Sequence, residues 1–279
     1  MERKPKFALF GHDFQAERPA SMQKVIDTLN ALGTEIVMEQ AVYDDDFQAD
    51  FAVSVGGDGT FLKTACHVGS KGIPIIGVNI GRLGFLADVR VEEIEDAFQA
   101  VCAGNYRIEE HSVIQMDSTG EADGLTPYAL NDIAVLRRDN ASMITIHASV
   151  DGDPLVTYRA DGLVVSTPTG STAYNLSNGG PIMLSQTGVL CLTPVAPHSL
   201  TTRPIVVPDS CAIDLEVESR SGNFLVSIDG RQTTFDEQTR ISIRKAAHKV
   251  RIVKRLSENF FSTLREKMMW GKDVRSFTI

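Results

Sequence analysis

A chain of 279 residues, 43% of them hydrophobic, can fill one large or two ordinary cores, and 23% charged residues are typical of a globular protein. A net charge of −9 argues against nucleic acid or an anionic membrane as main partner, so an anionic ligand must be met by locally placed cations. Four scattered cysteines, read as buried reduced thiols, and six histidines show no metal-ligand spacing; no run approaches the ~20 apolar residues of a membrane span, and the N-terminal apolar run is too short for a signal peptide, so a cytoplasmic protein is expected.

In chain order, Lys6–Phe10 reads as a strand and Ala20–Leu32 as a helix with Val25, Ile26, Leu29 and Leu32 on one face, stopped by Gly33. Glu35–Met38 is a short strand, and Asp44, Asp45 and Asp46 form an acidic loop read as solvated. Phe51–Val55 is a buried strand that stops at Gly56-Gly57-Asp58-Gly59, after which Thr60 is expected to cap a helix running to Gly69. Ile73–Val78 is a further buried strand and Val91–Ala103 a further helix. Strands alternating with helices predict a parallel sheet, whose ligands sit beyond the carboxyl ends of the strands.

After Gly104 the pattern becomes short β-branched segments: 106–116, 129–136, 144–150, 155–159, 162–166, 189–192, 205–207, 212–217, 225–228, 241–244 and 250–254. Asp-Gly pairs at 123–124, 151–152 and 229–230 separate some of them, which predicts an all-β sandwich or barrel. Asn259–Trp270 reads as one amphipathic helix returning to the first domain. The expected domains are 1–104, 105–256 and the returning segment 257–279.

The turn at 56–59 ends a strand and opens a helix, the arrangement by which α/β proteins bind phosphate on free backbone N–H groups. Its glycines are expected to supply positive φ and close backbone approach. Neither GxxxxGK[ST] nor GxGxxG is present. Asp58 does not suit a pure phosphate cradle, because a carboxylate repels phosphate; it suits a base or a metal ligand, and phosphoryl transfer at this turn is the reading. Asp161–Pro181, DGLVVSTPTGSTAYNLSNGGP, carries eight Ser, Thr or Asn side chains, which fit a nucleotide's hydroxyls and phosphates as well as a long polar loop.

Taken together, the blocks VGGDGTFLK (55–63), GVNIGRLGFLAD (77–88), ALNDIAV (129–135), DGLVVSTPTGSTAYNLSNGGP, APHSLTTRPIVVP (196–208) and SIDGR (227–231) resemble the bacterial-type NAD kinase family. The GGDG turn is shared with phosphofructokinases and lipid kinases of the same superfamily; the block at 161–181 discriminates. The resemblance implies a Rossmann-like N-terminal α/β domain of the diacylglycerol/phosphofructokinase-like kinase superfamily and a C-terminal all-β sandwich-like domain. It implies transfer of the γ-phosphoryl of ATP to the 2′-hydroxyl of the adenosine ribose of NAD, with NAD and ATP as substrates and Mg²⁺ carried with ATP. No nucleic-acid or membrane partner is implied, and a homodimer or homotetramer is.

On this basis Asp58 is the catalytic residue, taking the hydroxyl proton as the O–P bond forms. Gly57 and Gly59 place N–H groups near phosphate, and Lys63, at the end of the first helical turn, meets phosphate as a point charge. Asn131 and Asp132 match an Asn–acidic pair for the ribose hydroxyls, Asp132 being shorter than the Glu of many members. Asp161 matches an aspartate near the nicotinamide amide, and Arg159, sharing its strand face, meets the pyrophosphate. Thr172, Ala173, Tyr174, Asn175, Leu176 and Ser177 match the dinucleotide-contacting run. Tyr174 and Phe85 offer aromatic faces to a base, and Ala196 is small enough to let the ligand close in. His198 is read as structural, and Arg231 carries little weight because many relatives have Gln there. Another GGDG kinase, or a dinucleotide-binding regulator without activity, are the competing readings; the polar groove at 161–181 disfavours the first and the retained Asp58 the second.

Overall fold

The computed structural model describes residues 4–11, 20–38, 47–81, 84–121, 124–138 and 142–269. The acidic loop at 44–46, the Asp of the 123–124 pair and Trp270 lie outside them. The chain divides into two compact units, Met1–Glu110 with Val250–Ile279, and His111–Lys249.

The first unit carries strands β1 (Lys6–Gly11), β2 (Glu35–Val37), β3 (Phe51–Gly56), β4 (Ile75–Asn79) and β5 (Val89–Arg90). They lie in the order β2-β1-β3-β4-β5, every neighbouring pair parallel. Helix α1 (Ala20–Ala31) connects β1 to β2 and α2 (Asp58–Val68) connects β3 to β4, while α3 (Ile94–Cys102) follows β5. Every residue of β3 and β4 is buried, which is why both segments read as continuous apolar runs rather than alternating ones. Val25, Ile26 and Leu29 of α1 and Phe98 of α3 complete a core with Phe7, Leu9, Val53 and Ile76. Gly33, at φ 69°, ends α1 as its position predicts. The last part of strand β17 (Ile241–Arg255) belongs here, Ile252 pairing in parallel with Ile75. Helix α5 (Phe260–Met268) follows it.

The second unit is built from antiparallel strands. One sheet runs β13 (Ile205–Pro208), β12 (Val189–Val195), β11 (Gly162–Ser166), β8 (Asp132–Leu136), β15 (Asn223–Ile228), β16 (Arg231–Asp236). The other places β9 (Ile144–Val150) between β10 (Asp153–Ala160) and β14 (Ile213–Glu218), which pairs with the start of β17. Strand β6 (Tyr106–Ser118), which starts at the end of the first unit, pairs with the short β7 (Tyr128–Ala129). The core between the sheets includes Ile133, Val135, Ile146, Leu163, Val165, Leu192, Leu215 and Val226, one face of each strand as period-2 patterning requires. A short helix α4 (Tyr174–Ser177) sits in the polar loop after β11.

Several expectations need correction. The segment 129–136 is two strands, broken at Leu130 and Asn131, and the segments 241–244 and 250–254 are one strand of 15 residues. Strand β16, RQTTFD, has no apolar alternation to announce it; it exists because β15 pairs with it across the Asp229-Gly230 turn. Only Cys191 is buried among the four free cysteines, and Cys102 is exposed.

Candidate functional site

In the first unit the site is a carboxylate in a cage of donors. Helix α2 begins at Asp58, not after Thr60; Gly57 holds the N-cap position without a side-chain cap. Thr60 instead packs against Gly56, where a Cβ would overlap its side chain. None of Gly56, Gly57 and Gly59 adopts a positive φ. Their value is room rather than backbone freedom: a Cβ on Gly57 or Gly59 would meet nothing within 4 Å, so open space lies in front of both.

The Asp58 carboxylate, at the first position of α2, is held by the turn Gly84–Ala87. Its Oδ1 accepts from the N–H groups of Leu86 and Ala87, each at 3.1 Å, and its Oδ2 from the N–H of Phe85 at 3.0 Å and Lys267 Nζ at 3.1 Å. Gly84 is obligatory here, because a Cβ on it would overlap Asp58 Oδ1. The turn is closed by Gly84 N–H donating to Ala87 O (3.1 Å) and braced by the buried pair Lys254–Asp88 at 2.6 Å. Burial alone would raise the Asp58 pKa; the N–H donors and the Lys267 charge outweigh it and hold the carboxyl below its usual 3.8. Because α2 starts early, Lys63 lies beyond the first turn and is exposed to solvent. The Phe85 ring is engaged rather than free: Lys267 Nζ stands 4.5 Å from its centroid and Phe260 is 6.0 Å away. Phe85 reaches the site through its backbone.

In the second unit a hairpin turn supports Asn131 and Asp132. Asp229 and Gly230 have φ of 48° and 82°, the pair of left-handed residues that a two-residue hairpin loop demands. The turn lifts the Asp229 carboxylate onto the break between β7 and β8, where it accepts from the N–H groups of Leu130 (2.7 Å), Asn131 (2.8 Å) and Asp132 (3.1 Å). Arg231 donates to Tyr128 O at 2.7 Å and Ile228 O at 3.1 Å, bracing the same corner. Asn131 Oδ1 is buried with no hydrogen-bond partner, an acceptor waiting for a donor. Asp132 is 7% exposed, and burial together with the Asp229 charge pushes its pKa up to about 7. Burial raises Asp229 as well, against the pull of its three N–H donors and of Arg231.

The remaining candidates fall into two places. Arg159, on β10, and Asp161, just past its end, line a polar cavity of about 890 Å³ with Arg137, His198 and Arg220. Both thus face one cavity, and Asp161 Oδ1 pairs with Arg137 Nε at 3.1 Å. The His198 N–H donates to Arg159 O at 2.8 Å. In the loop after β11, Tyr174 is 39% exposed, Ser177 is exposed, and Thr172, Ala173 and Leu176 are half-buried. Asn175 is fully buried, and its side chain is spent internally, donating to Ser171 O (3.2 Å) and Pro181 O (3.1 Å) and accepting from Thr193 Oγ1 (2.6 Å). It shapes the loop and has no amide group left for a ligand. Ala196 holds φ 44°, a strained conformation for a residue with a Cβ.

Sequence reasoning missed Lys267, Gly84 and Arg137, and took Asp229 only as a turn residue. The signal for Gly84 and Asp229 was their place in the blocks 77–88 and 227–231; nothing local announces Lys267, 209 residues from Asp58. Among the described residues no cluster of three His, Cys, Asp or Glu side chains is placed to hold a metal, and no helix is long and apolar enough to cross a membrane.

Comparison with known proteins agrees across the whole chain. Residues 11–106 match the ATP-NAD kinase N-terminal domain family and residues 130–255 the ATP-NAD kinase C-terminal domain family. An NAD kinase of Bacteroides fragilis is 48% identical over 288 residues, covering 97% of this chain and 99% of that protein. One from Porphyromonas gingivalis is 42% identical over 289 residues, covering 97% and 99%. Among solved structures, an Archaeoglobus fulgidus NAD kinase in complex with ATP is 28% identical with a TM-score of 0.78, covering 94% of this chain and 99% of that one. Yeast NADH kinase complexed with NADH, 20% identical, shares the fold with a TM-score of 0.86 over 99% of this chain and 91% of its own.

Proposed function

The chain belongs to the NAD kinase family, whose reaction is the ATP-dependent phosphorylation of NAD, and we propose that Asp58 is the proton acceptor for that transfer at the 2′-hydroxyl of the adenosine ribose. The observation that carries this is the Asp58 cage: a carboxylate fixed by the N–H groups of Phe85, Leu86 and Ala87 at the open end of a glycine turn. Held below the ordinary carboxylate range, Asp58 is too weak a base to strip a free ribose hydroxyl. It takes the proton late, once bonding to phosphorus has acidified the hydroxyl. In that step the hydroxyl oxygen bonds the γ-phosphorus, its proton passes to Asp58, the bond from the γ-phosphorus to the bridging oxygen breaks, and ADP leaves with that oxygen. Gly57 and Gly59 leave space for phosphate against the start of α2.

Asn131 and Asp132 hold the ribose and adenine side of NAD. The unpartnered Asn131 Oδ1 supports this, since an exocyclic amine or a hydroxyl would satisfy it. Hydroxyl donors favour the ionised form of Asp132, so binding draws its proton off. Arg159 and Asp161 serve the pyrophosphate and nicotinamide ends; Thr172, Ala173, Tyr174, Leu176 and Ser177 form the groove wall, with Tyr174 the aromatic face, and Ala196 gives clearance. The four acceptor interactions of Asp58 are with N–H donors, so its oxygens do not present themselves as metal ligands. Mg²⁺ therefore enters as part of the ATP substrate.

The protein is taken as cytoplasmic and as a homodimer or homotetramer. The edge strand β13, with Ile205 36% and Val206 45% exposed, supports self-association, which sedimentation velocity reads directly. The reaction is tested by running purified protein with NAD, ATP and Mg²⁺, coupled to a dehydrogenase specific for NADP. Signal that requires both substrates is the expected result; none with NAD or NADH would overturn the reading.

A further inference from the structure

We propose that Lys267 is a positioning residue for phosphoryl transfer, its ammonium holding on Asp58 Oδ2 the place that the acceptor hydroxyl takes in the reaction. The inference rests on the reading of Asp58 as proton acceptor and adds a residue that the motif blocks do not contain.

Helix α5 is fixed from both ends. Asn259 caps it, accepting from Ser262 N–H at 2.9 Å, while Thr263 and Leu264 are buried beneath it. Glu266 pairs with Arg90, and Phe260 packs near Phe85 with centroids 6.0 Å apart. The helix is thus tied to the same turn that cages Asp58. Lys267, in its last turn, lies over the Phe85 ring with Nζ 4.5 Å from the centroid and 3.1 Å from Asp58 Oδ2. A cation between a ring face and a carboxylate has a defined position rather than a solvated one.

An ionised carboxylate offers about four lone-pair sites. On Asp58 they are filled by Phe85, Leu86 and Ala87 N–H and by Lys267. A hydroxyl that is to give its proton to Asp58 must displace one of these. The three N–H donors belong to a closed turn braced by Lys254–Asp88 and cannot withdraw without unmaking it. Lys267 reaches in on a flexible stem, with 32% of its side chain exposed, and is the one donor of the four that can step aside. The neighbouring charges are engaged with each other, Glu266 with Arg90 at the surface and Lys254 with Asp88 in the buried pair. Lys267 takes no proton in the reaction; it keeps Oδ2 aimed and unblocked by other donors, and remains beside the charge that develops on transfer.

The test measures NADP formation by the full chain as wild type, Lys267→Met and Lys267→Arg, each with and without Asp58→Asn. Met keeps the aliphatic stem on Phe85. Lys267→Met is expected to lower kcat by about 10- to 100-fold while KM for NAD and for ATP stay within about three-fold, and Lys267→Arg to recover most of the rate. Added to Asp58→Asn, Lys267→Met should change the residual rate less than about two-fold, because its effect runs through Asp58. Equal losses in both backgrounds, the signature of a loosened α5 or of an independent role, would overturn the proposal. So would a loss confined to KM, or a gain in kcat. A wild type that makes no NADP, or an Asp58→Asn variant as fast as wild type, would instead fail the reading of Asp58 itself.

Discussion

Asp58, half-buried at the start of α2, and Asp132, buried at the start of β8, are two aspartates whose environments drive them in opposite directions. Asp58 is surrounded by three N–H donors and an ammonium and is held below its usual pKa. Asp132 has a second carboxylate, Asp229, beside it, and is raised to about 7. Burial pushes both upward, so burial does not decide which is charged; what the surrounding backbone points at them does. In the second unit the N–H groups of 130–132 are given to Asp229, and Asp132 is left with the like charge. Two residues of one type are thereby given opposite charge tendencies by their surroundings.

The sharpest way to break this contrast is Gly84→Ala. The added methyl overlaps Asp58 Oδ1 and its neighbour is backbone, Ala87 O, so the carboxylate must leave its cage. We expect kcat to fall by about 10²–10⁴-fold, the range of a lost acid–base group, with the far-UV circular dichroism spectrum unchanged.

Asp132 gives the next effect. With a free-enzyme pKa of about 7, KM for NAD should fall as pH rises from 6 to 8, by up to about ten-fold, and Asp132→Asn should bind more weakly and flatten that slope. A KM for NAD independent of pH in the wild type would contradict the assignment.

Stability separates the pair by sign. Asp58, depressed when folded, stabilises above about pH 4, and this contribution is lost as pH falls through the folded value. Asp132, raised when folded, makes the folded state bind the extra proton between the unfolded value of 3.8 and about 7; stability drops as pH climbs through that window and is level above it. Asp132→Asn should therefore melt higher than wild type at pH 8, by roughly 2–6 °C for a gain on the order of 1–2 kcal/mol, and alike at pH 4. Equal shifts at both pH values would show that packing, not charge, is responsible. The smallest effect is that of Lys63→Ala: exposed and beyond the first turn of α2, it should raise KM for ATP by about two- to three-fold at most.

Much of this was legible in the residues. The buried run 51–55 with its glycine turn gave the strand, the helix and Asp58, because each is fixed by neighbours a few residues away. The Asp-Gly pairs at 151–152 and 229–230 gave hairpins for the same reason. What could not be read was the use of those residues at long range. Asp229 is a good turn residue whether or not its carboxylate finds three N–H groups nearly 100 positions back. Asn175 looks like a ligand contact until its partners Ser171, Pro181 and Thr193 are known. Asn131-Asp132 suits a turn as well as a ligand contact, and the break there is made by the Asp229 acceptor across from it. Lys267 reads as an ordinary helix lysine until α5 is docked on the Gly84–Ala87 turn.

The most direct test of the account is kcat for Asp58→Asn at saturating NAD and ATP, beside wild type. Asn keeps the size and one acceptor oxygen for the Leu86 and Ala87 N–H groups, but cannot take the hydroxyl proton. The account predicts a loss of about 10³-fold or more in kcat with KM for both substrates nearly unchanged. A variant within about ten-fold of wild type would mean that Asp58 only holds the turn, and that the proton goes elsewhere.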